Sequence, residues 1–358
     1  MNGCVDTIQR AVADEELIST EAENTIFSET CAMLIYSMIP EHFERMFVSS
    51  ILTDETVHKV GVAMDILKTV VSDDIRASAY SSATKTEMLN KVDRLHVRIG
   101  SQSPKYWFNP TPLLHEHTRN KEDISLVQLG FDIRSLSVQD NINLIFSTPG
   151  PNGDPEKSPF AMPPTVANAW HNPQDMTINI PVGILNTPMY HEKYSDTSMM
   201  AKIIAICAHE FGHAFDHSAG FRFDSYGNAR EWVHSSDIGE LNKKIDCLVR
   251  QYSRPSRHGY IQNGMDVLSE AMADTYGINW AYKALLKAKN VQSLSKDEIL
   301  LFATMYAQLW ATNSSPEDDR KRVLFDEHPL PEFRINLNLQ NLKAFSNMCN
   351  KEPTCSLF

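Results

Sequence analysis

Hydrophobic and polar positions recur with a helical period along much of the chain. Helices are predicted at residues 15–98, 197–217, 265–288 and 298–312. Thr84 and Glu87 have capping-box spacing, which predicts that a helix begins there. Two strands are predicted at 164–170 and 176–180, on either side of the turn-rich His171–Asp175. The pattern therefore predicts a mainly α fold with a small β-sheet.

The helical segment 197–217 contains the apolar run Met199–Ala208, followed by His209-Glu210-Phe211-Gly212-His213. Histidines four residues apart project from one face of a helix, so both imidazoles can reach one zinc ion. Glu210 would then lie beside the open coordination position. A helix that is apolar on every face is normally buried, where these polar side chains are costly unless they have partners. A metal ion supplies those partners; a helix with hydrogen-bonded core histidines is the alternative.

A third ligand is expected from a second helix. His217 continues the four-residue spacing, but it is about 12 Å along a helix from His209, too far to share one ion. Glu270 and Asp274 are four residues apart and share a helix face. Glu270 is the predicted ligand, and Asp274 is the predicted acceptor that orients a ligand histidine. For an acidic pair considered alone, a solvated charged face is the alternative.

Three other segments complete a set of five motifs in chain order. The five are Asn168-Ala169-Trp170, Ile180–Leu185, His209–Asp216, Glu270–Asp274 and Asp326–Arg334. Together they resemble the neprilysin and endothelin-converting-enzyme family of zinc metallopeptidases, in its C-terminal catalytic half. The resemblance implies a thermolysin-like gluzincin catalytic domain, α+β and mainly helical, over residues 101–358. Residues 1–100 are then expected to form a helical segment that packs on this domain.

The resemblance also implies an activity, that of a zinc metalloendopeptidase that hydrolyses oligopeptides on the amino side of hydrophobic residues. The implied catalytic residues are Glu210, His328 and Asp274, the ligands of one zinc ion are His209, His213 and Glu270, and the substrate-binding residues are Asn168, Ala169 and Arg334. Glu210 acts as general base toward a zinc-activated water, and His328 stabilises the oxyanion of the tetrahedral intermediate.

Substrate binding is expected at two features of the implied cleft. An edge strand that contains Asn168 and Ala169 would let an extended peptide add as a further strand, although a plain hairpin is the alternative. An apolar specificity pocket is implied by the resemblance. Its candidate residues, for which core packing is the alternative, are Ile184, Met189, Leu309 and Trp310.

Two other function classes remain open. One is a catalytically inactive, peptidase-like binding or decoy protein, or a truncated fragment that lacks the large helical lid of its family. Intact Glu210, Glu270 and His328 count against it, because a decoy has no need of a proton shuttle. The other class is an aminopeptidase-type gluzincin, which needs an acidic anchor for the substrate amine. No GxMEN-like segment precedes the HExxH motif to supply that anchor.

Charge and cysteines bear on partners and compartment. A net charge of −12 argues against a nucleic-acid partner, and the resemblance implies peptide substrates as partners. Neither an apolar run of about 18 residues nor a signal peptide is recognisable. By resemblance, Cys247 pairs with Cys355, while Cys207, in the apolar helix, is expected to be a free thiol. The disulfide and the family together imply an oxidising compartment and an extracellular or cell-surface location.

Overall fold

The computed structural model describes residues 40–101, 162–349 and 355–357, with scattered positions between 128 and 142. The chain forms two compact units. The first comprises residues 1–50, 102–149 and 156–159, and the second comprises residues 51–101, 150–155 and 160–358. The described part of the first unit is helix α1 (Pro40–Ile51), except its last residue, and helical positions between 128 and 142. The predicted division near residue 100 stays a prediction.

The second unit is mainly helical with a small sheet, which confirms the predicted fold class. Its described α-helices are α2 (Asp54–Ala77), α3 (Ser82–Arg94), α4 (Asp196–Met199), α5 (Ala205–His213), α6 (Ala219–Arg222), α7 (Ile238–Tyr252), α8 (Leu268–Lys289), α9 (Lys296–Trp310), α10 (Pro316–Phe325), α11 (Pro331–Asn341) and α12 (Lys343–Met348). A π-helical turn, Met200–Ile204, joins α4 to α5. None of the helices in the described ranges is both long and apolar enough to cross a bilayer.

Helix α2 shows the helical period most clearly. Its apolar residues recur one turn apart and are buried: Val60, Met64, Leu67, Val71 and Ile75. The Thr53 hydroxyl caps the helix by accepting the Thr56 amide at 3.0 Å. The helix packs against α8, where the Trp280 indole donates a hydrogen bond to Asp74. This packing fixes α8, the helix that carries Glu270.

The predicted start of α3 was wrong. Ser81 is the cap residue, since its hydroxyl accepts the Thr84 amide, and the helix begins at the next position. The side chains of Thr84 and Glu87 instead bind a distant loop. Thr84 Oγ1 accepts the His234 amide at 3.0 Å, and Glu87 Oε1 accepts the Ser225 amide at 2.7 Å. Thr84 and Glu87, whose spacing suggested a capping box, therefore make tertiary contacts and do not cap the helix.

The sheet in the described part of the chain has three strands in the order β1-β3-β2. Strand β1 (His96–Gly100) runs parallel to β3 (Thr177–Pro181). Strand β2 (Trp170–Asn172) is antiparallel to β3. Strand β2 is therefore an outer strand of the described sheet.

The predicted strand at 164–170 was wrong except for its last residue. Residues 164–169 form turns and irregular backbone, and pairing begins at Trp170. The Pro164 carbonyl instead accepts the Gly183 amide at 2.9 Å. A Cβ on Gly183 would lie 2.4 Å from the Thr165 carbonyl oxygen, so only glycine permits this approach. The loop is thus held against the turn after β3 and cannot extend as a strand.

The cysteines agree with the predicted pairing where the structure describes them. Cys247 and Cys355 form a disulfide across 108 residues of sequence. Cys207 is a free, buried thiol in α5, and burial raises its pKa. Cys349 is free and exposed. Cys4 and Cys31 lie outside the described residues.

Replacing Cys355 by Ala is expected to lower the free energy of unfolding by about 4–5 kcal/mol. The disulfide closes a long loop, and cross-links of this length remove much conformational entropy from the unfolded chain. Denaturant unfolding of the two proteins measures the difference. Cys349→Ala is the matched control and should leave stability unchanged. A Cys355→Ala protein as stable as the wild type would contradict this prediction.

Candidate metal centre

Helices α5 and α8 carry the predicted ligands and approach each other closely. A Cβ on Gly212 of α5 would lie 2.8 Å from the Ala273 Cα of α8. A Cβ on Gly277 of α8 would lie 3.1 Å from the His209 amide nitrogen. Two glycines therefore let the helix backbones come together. The carboxylates of α8 are thereby brought beside the imidazoles of α5.

The three predicted ligands converge between these helices. The Nε2 atoms of His209 and His213 are 3.1 Å apart. Glu270 Oε2 is 3.2 Å from His209 Nε2, and Glu270 Oε1 is 3.4 Å from His213 Nε2. Within the described residues, these three side chains form the group that could hold a metal ion. His217, which we excluded on distance, is exposed and lies outside the group.

Each histidine of the cluster has a carboxylate on its other ring nitrogen. His209 Nδ1 is 2.8 Å from Asp274 Oδ1, and His213 Nδ1 is 2.8 Å from Asp216 Oδ2. An ionised carboxylate only accepts hydrogen bonds, so each Nδ1 carries a proton and, in a neutral ring, each Nε2 presents a lone pair. Two lone pairs that face each other at 3.1 Å repel unless a proton or a metal ion lies between them. The donor set of two imidazoles and one carboxylate fits zinc.

The charges of the three side chains also support a bound metal ion. Burial favours the neutral imidazole, but Asp274 and Glu270 raise the pKa of His209 to about 10. Burial also opposes ionisation of Glu270, but His209 and His213 hold its pKa well below the usual range. Glu270 Oε2 is buried and faces the Nε2 atoms of His209 and His328 at 3.2 and 3.3 Å. The centre therefore favours positive charge, and a bound metal ion would displace the His209 proton.

Glu210 is buried beside the cluster and lines the same cleft. Burial raises the pKa of its carboxyl group, against the effect of the neighbouring histidines His209 and His213. The backbone of His171 also favours the ionised carboxylate, but less strongly. A buried carboxyl group whose pKa is raised holds a proton more readily, so it can both accept and return one. The contact with His171 was missed, because we predicted a turn where β2 lies.

The cluster opens onto a cleft of about 460 Å³. The apolar candidates for the specificity pocket all line it: Ile184, Met189, Leu309 and Trp310. Asn168 and Ala169 also line it, the first exposed and the second buried. They lie just before edge strand β2, and not within a strand as predicted. The cleft therefore combines a candidate metal centre with an apolar wall and a nearby outer strand of the described sheet.

His328 reaches the cluster from the loop between α10 and α11. Its Nε2 is 3.3 Å from Glu270 Oε2, and its side chain is 42% exposed. Asp326 Oδ1 lies 2.8 Å from His328 Nδ1 and also accepts the His328 amide at 3.0 Å. Asp326 thus fixes the ring so that Nε2 points to the centre. Its role was missed, although a carboxylate two residues before a functional histidine was a signal for it.

Arg334 lines the cleft, but its guanidinium group is already engaged. Nε and Nη2 donate to the two Asp274 oxygens at 2.8 and 2.6 Å. The guanidinium carbon lies 3.5 Å from the centre of the Trp310 ring. Burial opposes ionisation of Asp274, but Arg334 and His209 hold its pKa below the usual value. Arg334 therefore orients the carboxylate that orients His209, and its substrate contact stays a prediction.

The sequence of this chain matches a known protein family. Residues 168–358 match the model of peptidase family M13. Neprilysin-3 of Drosophila melanogaster is 30% identical over 205 residues, which are 55% of this chain and 26% of that protein. Human endothelin-converting enzyme 1 is 32% identical over 199 residues, which are 54% of this chain and 26% of that protein.

A solved structure shares the fold. The cryo-EM structure of the Mycobacterium tuberculosis zinc metalloprotease Zmp1 in its open state matches with a TM-score of 0.74 at 20% identity. The match covers 98% of this chain and 53% of that one. The chain thus spans at most about half the length of these proteins. The resemblance to neprilysin and endothelin-converting enzyme is confirmed, and the chain belongs to peptidase family M13.

Proposed function

We propose that this chain is a zinc metalloendopeptidase that cleaves oligopeptides on the amino side of hydrophobic residues. The observation that carries the proposal is the convergence of the Nε2 atoms of His209 and His213 and the Glu270 carboxylate beside Glu210. Membership of peptidase family M13 supports it. The apolar wall of the cleft supports the preference for hydrophobic side chains.

The residues of the centre have separate tasks in the proposed reaction. Bound by His209, His213 and Glu270, one zinc ion per chain would polarise the scissile carbonyl and lower the pKa of water. Glu210 accepts the proton of the attacking water and delivers it to the leaving amine. In the doubly protonated ring, with Nδ1–H bound to Asp326, the Nε2–H of His328 donates a hydrogen bond to the oxyanion of the tetrahedral intermediate.

Asp274 and Asp216 hold the two ligand histidines in the tautomer that presents Nε2. We assign Asp274 to the catalytic group through this role. Because the proposed reaction uses each of these groups, their arrangement supports turnover over a binding or decoy function.

Substrate is proposed to lie along the edge of β2. The strand is outermost in the described sheet, and Asn168 and Ala169 precede it on the cleft wall. Their polar groups would hold an extended peptide in register, with Arg334 as a further contact on the same wall. The disulfide between Cys247 and Cys355 supports an extracellular or cell-surface location.

The proposal is tested by the metal content of the purified chain and by the position at which it cleaves peptides. Quenched peptides that carry Phe or Leu at one position are compared with the same peptides carrying Asp. Mass spectrometry of the products should place cleavage before the hydrophobic residue. Cleavage at positions unrelated to the hydrophobic residue would contradict the proposed specificity. A folded chain that takes up no zinc would contradict the proposed zinc-dependent hydrolysis.

Replacing His328 by Ala is expected to reduce kcat by about 10²–10³-fold while KM changes little. The lost hydrogen bond forms only as negative charge develops on the oxyanion, so substrate binding is largely spared. Steady-state kinetics on the same peptide measures both constants. His234→Ala, which changes an exposed histidine outside the cleft, is the control. If KM rose by about 10²–10³-fold while kcat stayed unchanged, His328 would be assigned to substrate binding instead.

A further inference from the structure

Lys91 on α3 is 2% exposed and reaches the chain next to His213, a proposed metal ligand. Its Nζ donates to the Ala214 carbonyl at 2.9 Å and to the Gly220 carbonyl. The ammonium group also lies 4.5 Å from the centre of the Trp232 ring. Both carbonyls belong to residues 214–220, the loop after His213 and the first turn of α6. The hydrogen bonds of this buried ammonium group therefore go to the stretch of chain that directly follows a proposed metal ligand.

The same loop carries Asp216. Asp216 Oδ1 accepts the Gly220 amide at 2.7 Å and the Ser218 amide at 3.0 Å. Oδ2 meets the Nδ1 of His213 at 2.8 Å and also accepts the Ser218 hydroxyl at 3.3 Å. Gly220 is therefore held on both sides, with its carbonyl bound by Lys91 and its amide bound by Asp216. The two contacts together set where the carboxylate meets His213.

The backbone around Gly220, which links Lys91 to Asp216, is tightly packed. A Cβ on Gly220 would lie 2.6 Å from the backbone of Phe215, so the loop is packed tightly on itself. The Trp232 indole donates a second hydrogen bond to the Gly220 carbonyl at 3.0 Å. Displacement of the Gly220 carbonyl would therefore move the Gly220 amide, and with it the partner of Asp216.

Charge complements the geometry. Burial lowers the pKa of Lys91 to about 7, against the acidic side chains of Glu87, Asp216 and Asp224. These three carboxylates favour the ammonium form in an otherwise buried site. A lysine that only filled space here would be replaceable by an apolar side chain of similar length.

We propose that Lys91 is a positioning residue for the metal ligand His213, acting through Gly220 and Asp216. The inference rests on the proposed metal centre. It extends that centre to α3, which lies outside the residues 168–358 that match the family model. Outer hydrogen-bond partners of metal ligands fix the ring orientation, and their loss weakens metal binding. A purely structural role for Lys91 would lower stability and leave the zinc affinity of the folded protein unchanged.

The test compares Lys91→Met with Lys202→Met in the full chain. Lys202 is also buried, at 5% exposure, and its Nζ donates to the Pro188 carbonyl at 3.1 Å, apart from the Asp216 loop. Zinc affinity is measured by competition with a chromophoric chelator, on samples shown to be folded by circular dichroism. Lys91→Met should weaken zinc binding about 10-fold, and Lys202→Met should not. Equal zinc affinity in Lys91→Met and the wild type would overturn the inference.

A double-mutant cycle with Asp216→Asn tests the route. If Lys91 acts through Asp216, Lys91→Met should have little further effect on zinc affinity once the carboxylate is gone. Additive effects would overturn the proposed route. If Lys91→Met does not fold, Trp232→Phe removes only the indole donor to Gly220 and should still weaken zinc binding measurably. A wild type that binds no zinc would instead refute the proposed function itself.

Discussion

Replacing Glu210 by Gln is expected to reduce peptide hydrolysis by about 10²–10⁴-fold while zinc stays bound. Glutamine keeps the shape of the side chain but cannot accept a proton from the attacking water. Glu210 is buried and lies beside the candidate ligands on the wall of the cleft. The kcat for a quenched peptide and the zinc content of the same sample measure the two halves of this prediction.

Glu327→Gln is the matched control for this change. Glu327 is exposed and lines the same cleft, so its replacement removes an equal charge from the substrate path. Activity should be close to that of the wild type. Near-normal turnover in Glu210→Gln would show that another group moves the proton. Loss of zinc in that variant would show that Glu210 belongs to the ligand set.

Replacing Glu270 by Gln is expected to abolish stable zinc binding and the stability that zinc confers. The change removes the anionic ligand and leaves two imidazole nitrogens 3.1 Å apart without their carboxylate. The loss of affinity should exceed the roughly 10–100-fold that follows loss of an outer carboxylate. At a zinc concentration about 1,000-fold above Kd, the wild type should gain about 4 kcal/mol of stability.

Thermal unfolding with added zinc and with added chelator measures this gain. The melting temperature of the wild type should rise with zinc, and that of Glu270→Gln should not. Asp266→Asn changes an exposed carboxylate just before the same helix and should retain the rise. A zinc-dependent rise that survives in Glu270→Gln would remove Glu270 from the ligand set.

The sequence predicted the helices better than the strands, for a physical reason. In α2 a single apolar stripe continues over 24 residues, so the period is visible without tertiary information. Strand β2 has only three residues, and its pairing depends on where the preceding loop is held. The contact between Gly183 and the Pro164 carbonyl fixes that loop, and no local periodicity encodes it.

The proposed ligands could be predicted from the sequence for a similar reason. His209 and His213, and likewise Glu270 and Asp274, have a spacing that helical geometry turns into a shared face. The hydrogen bonds that orient these ligands were harder to predict. Asp216 follows His213 by three residues, which was a usable signal, whereas Lys91 reaches the same loop from 123 residues earlier in the chain. Such contacts arise from packing between helices and leave no spacing pattern.

The most direct measurement is a zinc titration of the metal-depleted full chain, with peptide hydrolysis assayed at each addition. One zinc per chain should bind, and hydrolysis should rise in proportion to occupancy. In parallel, Glu210→Gln should bind the same amount of zinc without turnover. A folded chain that binds no zinc, or hydrolysis that persists undiminished in the metal-depleted chain, would contradict the assignment of the cluster as a catalytic zinc centre.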